Sequence, residues 1–130
     1  MKKSYRFQKH FTLEEARALL PKLRQLFRRL HRHRDAAREL EAALGRRVRE
    51  TGADLGGAEV SELIRHSAAL MEAFRQIQSL GVLIKDIDRG LVDFPHLRHG
   101  EEVFLCWELN EDDIEYWHDL DAGYAGREPL

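Results

Sequence analysis

Five polar side chains in the last part of the chain are of the types that bind divalent metal ions. Carboxylate oxygens suit hard cations, and zinc, manganese and iron also accept an imidazole nitrogen. Glu115 and His118 are three residues apart, which places both side chains on one side of a helix. The other three acids lie on or beside predicted strands. We therefore predict a site for zinc, manganese or iron whose candidate ligands are Asp86, Asp93, Glu108, Glu115 and His118.

Two other interpretations of these residues remain open. The chain has one Glu-x-x-His pair, no HExxH motif and no paired cysteines, so the strong zinc signatures are missing. His118 is also consistent with a core histidine that hydrogen bonds to Asp93 or Asp121, in a structural or protein-interaction module without metal. A metal-dependent hydrolase is the third interpretation, and the sequence identifies no catalytic residue.

Cys106 is the only cysteine, so the chain cannot form an internal disulfide. A nucleophilic thiolate needs positive or basic neighbours that lower the thiol pKa. The neighbours here are Phe104, Trp107 and Glu108, which favour the neutral thiol instead. We expect Cys106 to be a small core residue.

Two amphipathic helices precede these residues. Thr12 and Glu15 form a capping box at the start of the first helix, which we expect to end near Glu50. Pro21 predicts a kink or a separate short helix before it. Apolar residues recur at coiled-coil spacing, with His33 in one gap, at Ala16, Leu19, Leu23, Leu26, Leu30, Ala37, Leu40 and Leu44. The second helix is predicted over 58–80, and a glycine turn at 51–57 makes the two helices an antiparallel hairpin.

The hydrophobic period changes from helix to strand after Gly81. Strands are predicted at 82–87, at 91–94 (ended by Pro95) and at 102–109, and Asn110 caps a short helix that carries His118. On the third strand Val103, Leu105 and Trp107 share one face, and Phe104, Cys106 and Glu108 share the other. The predicted fold is α+β: a long antiparallel helical hairpin at 11–80, packed with a small three-stranded antiparallel sheet and a short C-terminal helix at 81–130. Residues 1–130 form a single domain.

Composition and charge limit the classes of partner. Residues 1–100 carry 20 Lys and Arg against 13 Asp and Glu, whereas residues 101–130 carry one Arg against ten acids. The pI near 6.4 argues against a nucleic-acid binder. No apolar run approaches the roughly 20 residues that span a bilayer, and no secretory signal is present, so we expect a cytoplasmic protein. The long apolar seam predicts a homodimer or larger homo-oligomer, or a protein partner for the hairpin.

Four segments resemble one small bacterial family of unknown function, DUF2203. They are FTLEEARALLPKL at 11–23, GLVDFP at 90–95, LCWEL at 105–109 and YWHDLDAGYAGREP at 116–129. The resemblance runs from Phe11 to the C-terminus. It implies a bacterial, intracellular protein and marks residues 90–127 as the characteristic surface, and it implies no activity.

Overall fold

The computed structural model describes residues 4–51 and 57–130, which form two helices and one sheet. Helix α1 is Leu13–Thr51 and helix α2 is Gly57–Ser79. The sheet is an antiparallel meander with its five strands in chain order. These strands are β1 (Leu83–Asp86), β2 (Leu91–Arg98), β3 (Glu101–Trp107), β4 (Tyr116–Asp119) and β5 (Glu128–Pro129). A single turn of 3-10 helix, Tyr124–Gly126, precedes β5. Within the described ranges, no helix combines the length and the apolar character that a membrane span requires.

The start of α1 is the predicted capping box. The Thr12 amide donates to Glu15 Oε1 at 2.9 Å, and the Glu15 amide donates to Thr12 Oγ1 at 3.0 Å. These two bonds satisfy amides that have no partner within the helix. Pro21 lies inside α1, so the separate short helix predicted before it is wrong. The turns of α1 around Pro21 bury the side chains of Ala16, Leu20 and Leu23. This apolar burial offsets the cost of the hydrogen bond that proline cannot make.

One compact unit, Leu26–Gln76, contains most of the two helices. His33 of α1 contacts His66 of α2, and Arg47 contacts Glu59. The later residue of α1 thus contacts the earlier residue of α2, so the two helices are antiparallel. The predicted seam is buried in this unit at Leu26, Leu30, Ala37 and Leu44. Of the glycine turn predicted at 51–57, residues 52–56 lie outside the described residues, whereas Thr51 ends α1 and Gly57 begins α2.

The second compact unit consists of the described residues up to Gln25 together with Ile77–Leu130. One face of its sheet packs on the start of α1. The rings of Phe11 and Phe94 meet edge to face with centroids 5.4 Å apart, and the Arg24 guanidinium lies 5.7 Å from the Trp107 ring centroid. Phe94, Leu105 and Trp107 on this face are completely buried.

The sheet is larger than the sequence predicts, and the C-terminal helix is absent from the described residues. Five strands replace the expected three, and β2 continues through Pro95 to Arg98. The α+β class is retained. Residues 110–115 form an irregular turn instead of a helix because local groups satisfy the backbone. Trp107 Nε1 donates to the Glu111 carbonyl at 2.9 Å, and the Ile114 amide donates to Asp113 Oδ1 at 2.7 Å. The chain then pairs with β3, where Leu105 lies opposite Trp117.

The opposite face of the sheet is covered by the two ends of the chain. Glu102 on β3 accepts hydrogen bonds from the amides of Arg6 and Phe7, at 2.8 and 2.9 Å, and from His10 Nε2. These bonds place the Phe7 ring edge to face against Phe104. The segment after β4 covers the next part of the same face. Between these two covers lie the side chains described below.

Candidate metal centre

Three side chains that can bind a metal meet on the covered face of the sheet: Asp93, Cys106 and His118. One potential ligand atom from each lies within 4.8 Å of the others, and all three residues are buried. The strand register explains the meeting. Asp93 on β2 lies directly opposite Cys106 on β3, and His118 on β4 lies opposite Phe104, two residues before Cys106. Directly opposite residues and residues two apart share one face of a sheet, so all three point to the same side.

The hydrogen bonds of His118 fix the orientation of its ring, because each ring nitrogen has one partner. Nδ1 is 2.8 Å from the backbone carbonyl of Asp119, which can only accept, so Nδ1 carries a proton. Nε2 is 3.0 Å from Asp93 Oδ1. Because a carboxylate oxygen and an unprotonated nitrogen are both acceptors, a proton must be shared between them. A metal cation can replace that proton without any change in the orientation of the ring.

The Cys106 thiol is protonated in this environment. Burial raises the pKa of Cys106 to about 12, and the charge of Asp93 and a hydrogen bond to it act in the same direction. The positive charge of Arg127 opposes this shift. A thiol with this pKa is not a nucleophile at neutral pH, in agreement with the prediction from its neighbours. It becomes a thiolate when a metal ion replaces its proton.

The three side chains open onto a cavity of about 110 Å³. Its other walls are formed by Lys85, Leu91, Leu120, Gly123 and Tyr124. Lys85 Nζ is 3.8 Å from Asp93 Oδ2, the carboxylate oxygen that does not face His118, and 5.1 Å from the Phe104 ring centroid. The cavity therefore combines three ligand atoms, one ammonium group and apolar walls.

The segment after β4 forms the cover of the cavity, and Tyr124 holds this segment in place. The Tyr124 ring has two cationic neighbours, the guanidinium groups of Arg89 and Arg127, at 4.1 and 4.6 Å from its centroid. Its hydroxyl donates to Glu108 Oε1 at 3.2 Å. Gly123 precedes it with φ 73°, a left-handed conformation that favours glycine. This turn allows the chain to reverse and place Tyr124 on the cavity wall.

The remaining predicted ligands do not join this group. The Glu108 carboxylate forms an ion pair with Arg89 at 2.7 Å as well as accepting from Tyr124. Asp86 accepts the Arg89 amide at 3.1 Å in the turn between β1 and β2. Glu115 is exposed. Of the five candidates, the structure thus brings together Asp93 and His118.

Cys106 is the one residue of the candidate metal centre that is not among the five predicted ligands. Its face of the strand, shared with Phe104, was predicted and agrees with the pairing register. The missing information was that residues 116–119 form a strand. As a strand, Tyr-Trp-His-Asp places His118 on the face opposite to Trp117, and thus beside Phe104 and Cys106.

An oxygen, a sulfur and a nitrogen donor make this group suitable for a borderline-soft transition metal. Zinc binds Asp, Cys and His side chains in tetrahedral geometry, and sites with three protein ligands leave a fourth position for water or another ligand. The His118 Nδ1 bond to a backbone carbonyl is the support that metal-bound histidines usually have. Asp93, Cys106 and His118 could therefore hold a metal ion beside the cavity that all three residues line.

Comparison with known proteins gives one match. A family model described as an uncharacterized conserved protein, DUF2203, matches residues 9–130. No curated protein and no solved structure matches significantly. The family match extends over all three residues of the candidate metal centre and over nearly the entire chain. The chain belongs to the DUF2203 family of uncharacterized conserved proteins.

Proposed function

We propose that this protein binds one divalent transition-metal ion, preferentially Zn²⁺, through Asp93, Cys106 and His118. The observation that carries the proposal is the arrangement of His118 and Asp93. Nδ1 of His118 is fixed by a carbonyl at 2.8 Å, and Nε2 points at a carboxylate oxygen 3.0 Å away. His118 Nε2 and Asp93 Oδ1 therefore face each other, and one ligand atom from each of Asp93, Cys106 and His118 lies within 4.8 Å of the others.

Charge and burial support a cation at this position. Asp93 is 2% exposed, Cys106 1% and His118 2%. A buried carboxylate is costly unless it is paired, and the partners of Asp93 are His118 Nε2 at 3.0 Å and the partly exposed Lys85 Nζ at 3.8 Å. A dication that binds the Asp93 carboxylate, the Cys106 thiolate and the neutral His118 ring would give a group with no net charge. The metal therefore satisfies all three buried groups together.

The experiment is metal analysis of the purified protein, with matched variants. The tag-free protein is incubated with Zn²⁺ or Mn²⁺, dialysed, and analysed by inductively coupled plasma mass spectrometry. We expect about one zinc per chain after dialysis. Cys106→Ser and His118→Ala each keep two of the three ligands, so they should bind zinc more weakly and retain clearly less of it. Asp86→Asn and Glu115→Gln are the controls, because both residues lie outside the group of three; they should retain zinc. Circular dichroism of each variant separates loss of metal from loss of fold.

A structural module without metal is the second candidate, and one observation favours it. The Asp93–His118 pair and the Lys85–Asp93 ion pair already connect β1, β2 and β4 without any cation. In this case His118→Ala lowers the free energy of unfolding, and the wild-type protein contains no zinc after dialysis. Zinc retained equally by the wild type and by Cys106→Ser would contradict the proposed ligand set.

A further inference from the structure

We infer that the fourth position of the metal takes a small aliphatic monocarboxylate, with Lys85 as its counter-ion. This inference rests on the proposed function, because the carboxylate would bind to the metal held by Asp93, Cys106 and His118. It adds a ligand class and a residue that selects it. The charge, the size and the walls of the cavity support this ligand class.

The charges of the metal-loaded cavity favour a ligand with one negative charge. The metal, the Asp93 carboxylate and the Cys106 thiolate together are neutral, and Lys85 adds one positive charge. The two arginines near the cavity cover do not add to this charge. Arg89 is paired with Glu108 at 2.7 Å, and Arg127 is paired with Glu111 at 2.8 Å. A monoanion therefore makes the loaded site neutral.

Lys85 is directed to the cavity by an irregularity in β1. Ile84 pairs with Val92 and Asp86 pairs with Leu91, so Lys85 is one extra residue between two paired positions. Such a bulge turns a side chain away from its regular direction, and bulges are frequent beside functional sites. The ammonium group lies near the Phe104 ring as well as near Asp93 Oδ2. Lys85 thus lines the cavity, where it could pair with an anion bound beside the three ligand atoms.

The size and the remaining walls of the cavity select a short aliphatic group. Its volume is about 110 Å³, which is room for a ligand larger than one water molecule. Leu91, Leu120 and the Tyr124 ring provide apolar surface. A carboxylate with one or two further carbons fits this space, with its oxygens at the metal and Lys85 and its carbons against the leucines. Binding needs only the exchange of a metal-bound water for the carboxylate.

The test is a titration of the cobalt-loaded protein with acetate. Co²⁺ replaces Zn²⁺ in tetrahedral sites and reports its ligands by visible absorption, so a change in that spectrum follows the fourth position. We expect acetate to change the spectrum in a saturable way. Lys85→Met keeps the length of the side chain and removes its charge, and it should weaken acetate binding about tenfold or more. Lys22→Met, at an exposed position of α1, is the control and should leave acetate binding unchanged.

The outcomes distinguish failure of the inference from failure of the proposed function. No tetrahedral cobalt spectrum in the wild-type protein would overturn the metal site itself. A tetrahedral cobalt spectrum that acetate and propionate do not change would overturn the carboxylate inference and leave the metal site standing. An acetate response of equal affinity in Lys85→Met would overturn the role of Lys85 as the counter-ion.

Discussion

Zinc binding to the metal-free protein should release the proton of the Cys106 thiol. The pKa of this thiol is raised to about 12 by burial and by Asp93, so the thiol is protonated at neutral pH. The metal replaces this proton, because metal ligands bind in their deprotonated forms.

The size of the pH effect follows from this proton. With a thiol pKa of about 12, deprotonation at about pH 6.5 costs roughly 7 kcal/mol at 1.36 kcal/mol per pH unit. The zinc–thiolate bond must exceed this cost. Each unit of pH increase lowers the cost of deprotonation, so the Cys106 proton predicts a rise in zinc affinity of about tenfold per pH unit.

The assay is isothermal titration calorimetry in buffers that differ in their enthalpy of protonation. The slope of the observed enthalpy against the buffer enthalpy gives the number of protons released. We expect the wild type to release about one proton more than Cys106→Ser, since a serine hydroxyl keeps its proton at this pH. A slope near zero, or the same slope in the wild type and in Cys106→Ser, would refute the assignment of Cys106 as a ligand.

Three further predictions concern other parts of the chain. Glu102→Ala should lower the free energy of unfolding by about 2 kcal/mol in urea titrations, because it leaves the Arg6 and Phe7 amides without their acceptor; an unchanged midpoint would contradict this role. Burial, together with the charge of His66 and the nearby arginines, lowers the pKa of His33 from 6.5, so protonation opposes folding. Hairpin stability should therefore be complete above that value and fall as the pH drops from it toward the lowered pKa; thermal melts of His33→Leu should lack this dependence. The homodimer predicted from the sequence should show twice the chain mass by light scattering, and Ile64→Lys, at a side chain 62% exposed on α2, should reduce it to one chain.

The helices were predictable because their signals are local. The capping box of Thr12 and Glu15 lies within four residues, and the seam repeats every three or four positions. The fourth strand, β4, was not predictable, because its residues form a strand only through pairing with β3. Trp117 finds its partner Leu105 twelve residues earlier in the chain, and no local pattern encodes this pairing. The acids at 111–113 resemble a helix start, yet their side chains and carbonyls satisfy a turn.

The candidate site was predictable only in part, because it also depends on the pairing of strands. A hydrogen bond between His118 and Asp93 was one of the open interpretations, and the structure confirms it at 3.0 Å. The position of Cys106 beside them depends on the register of three strands. The helix predicted for His118 associated it with Glu115 instead. In the strand, Glu115 lies just before β4 and is exposed, so the i, i+3 pairing does not form.

The most direct test of the metal site is X-ray absorption spectroscopy at the zinc K-edge of the zinc-loaded protein. With Asp93, Cys106 and His118 as ligands, the spectrum should contain one sulfur at about 2.3 Å and about three nitrogen or oxygen atoms at about 2.0–2.1 Å. Cys106→Ser should lose the sulfur contribution and retain only the lighter atoms. A zinc shell without sulfur in the wild type, or a sulfur signal that persists in Cys106→Ser, would contradict the site.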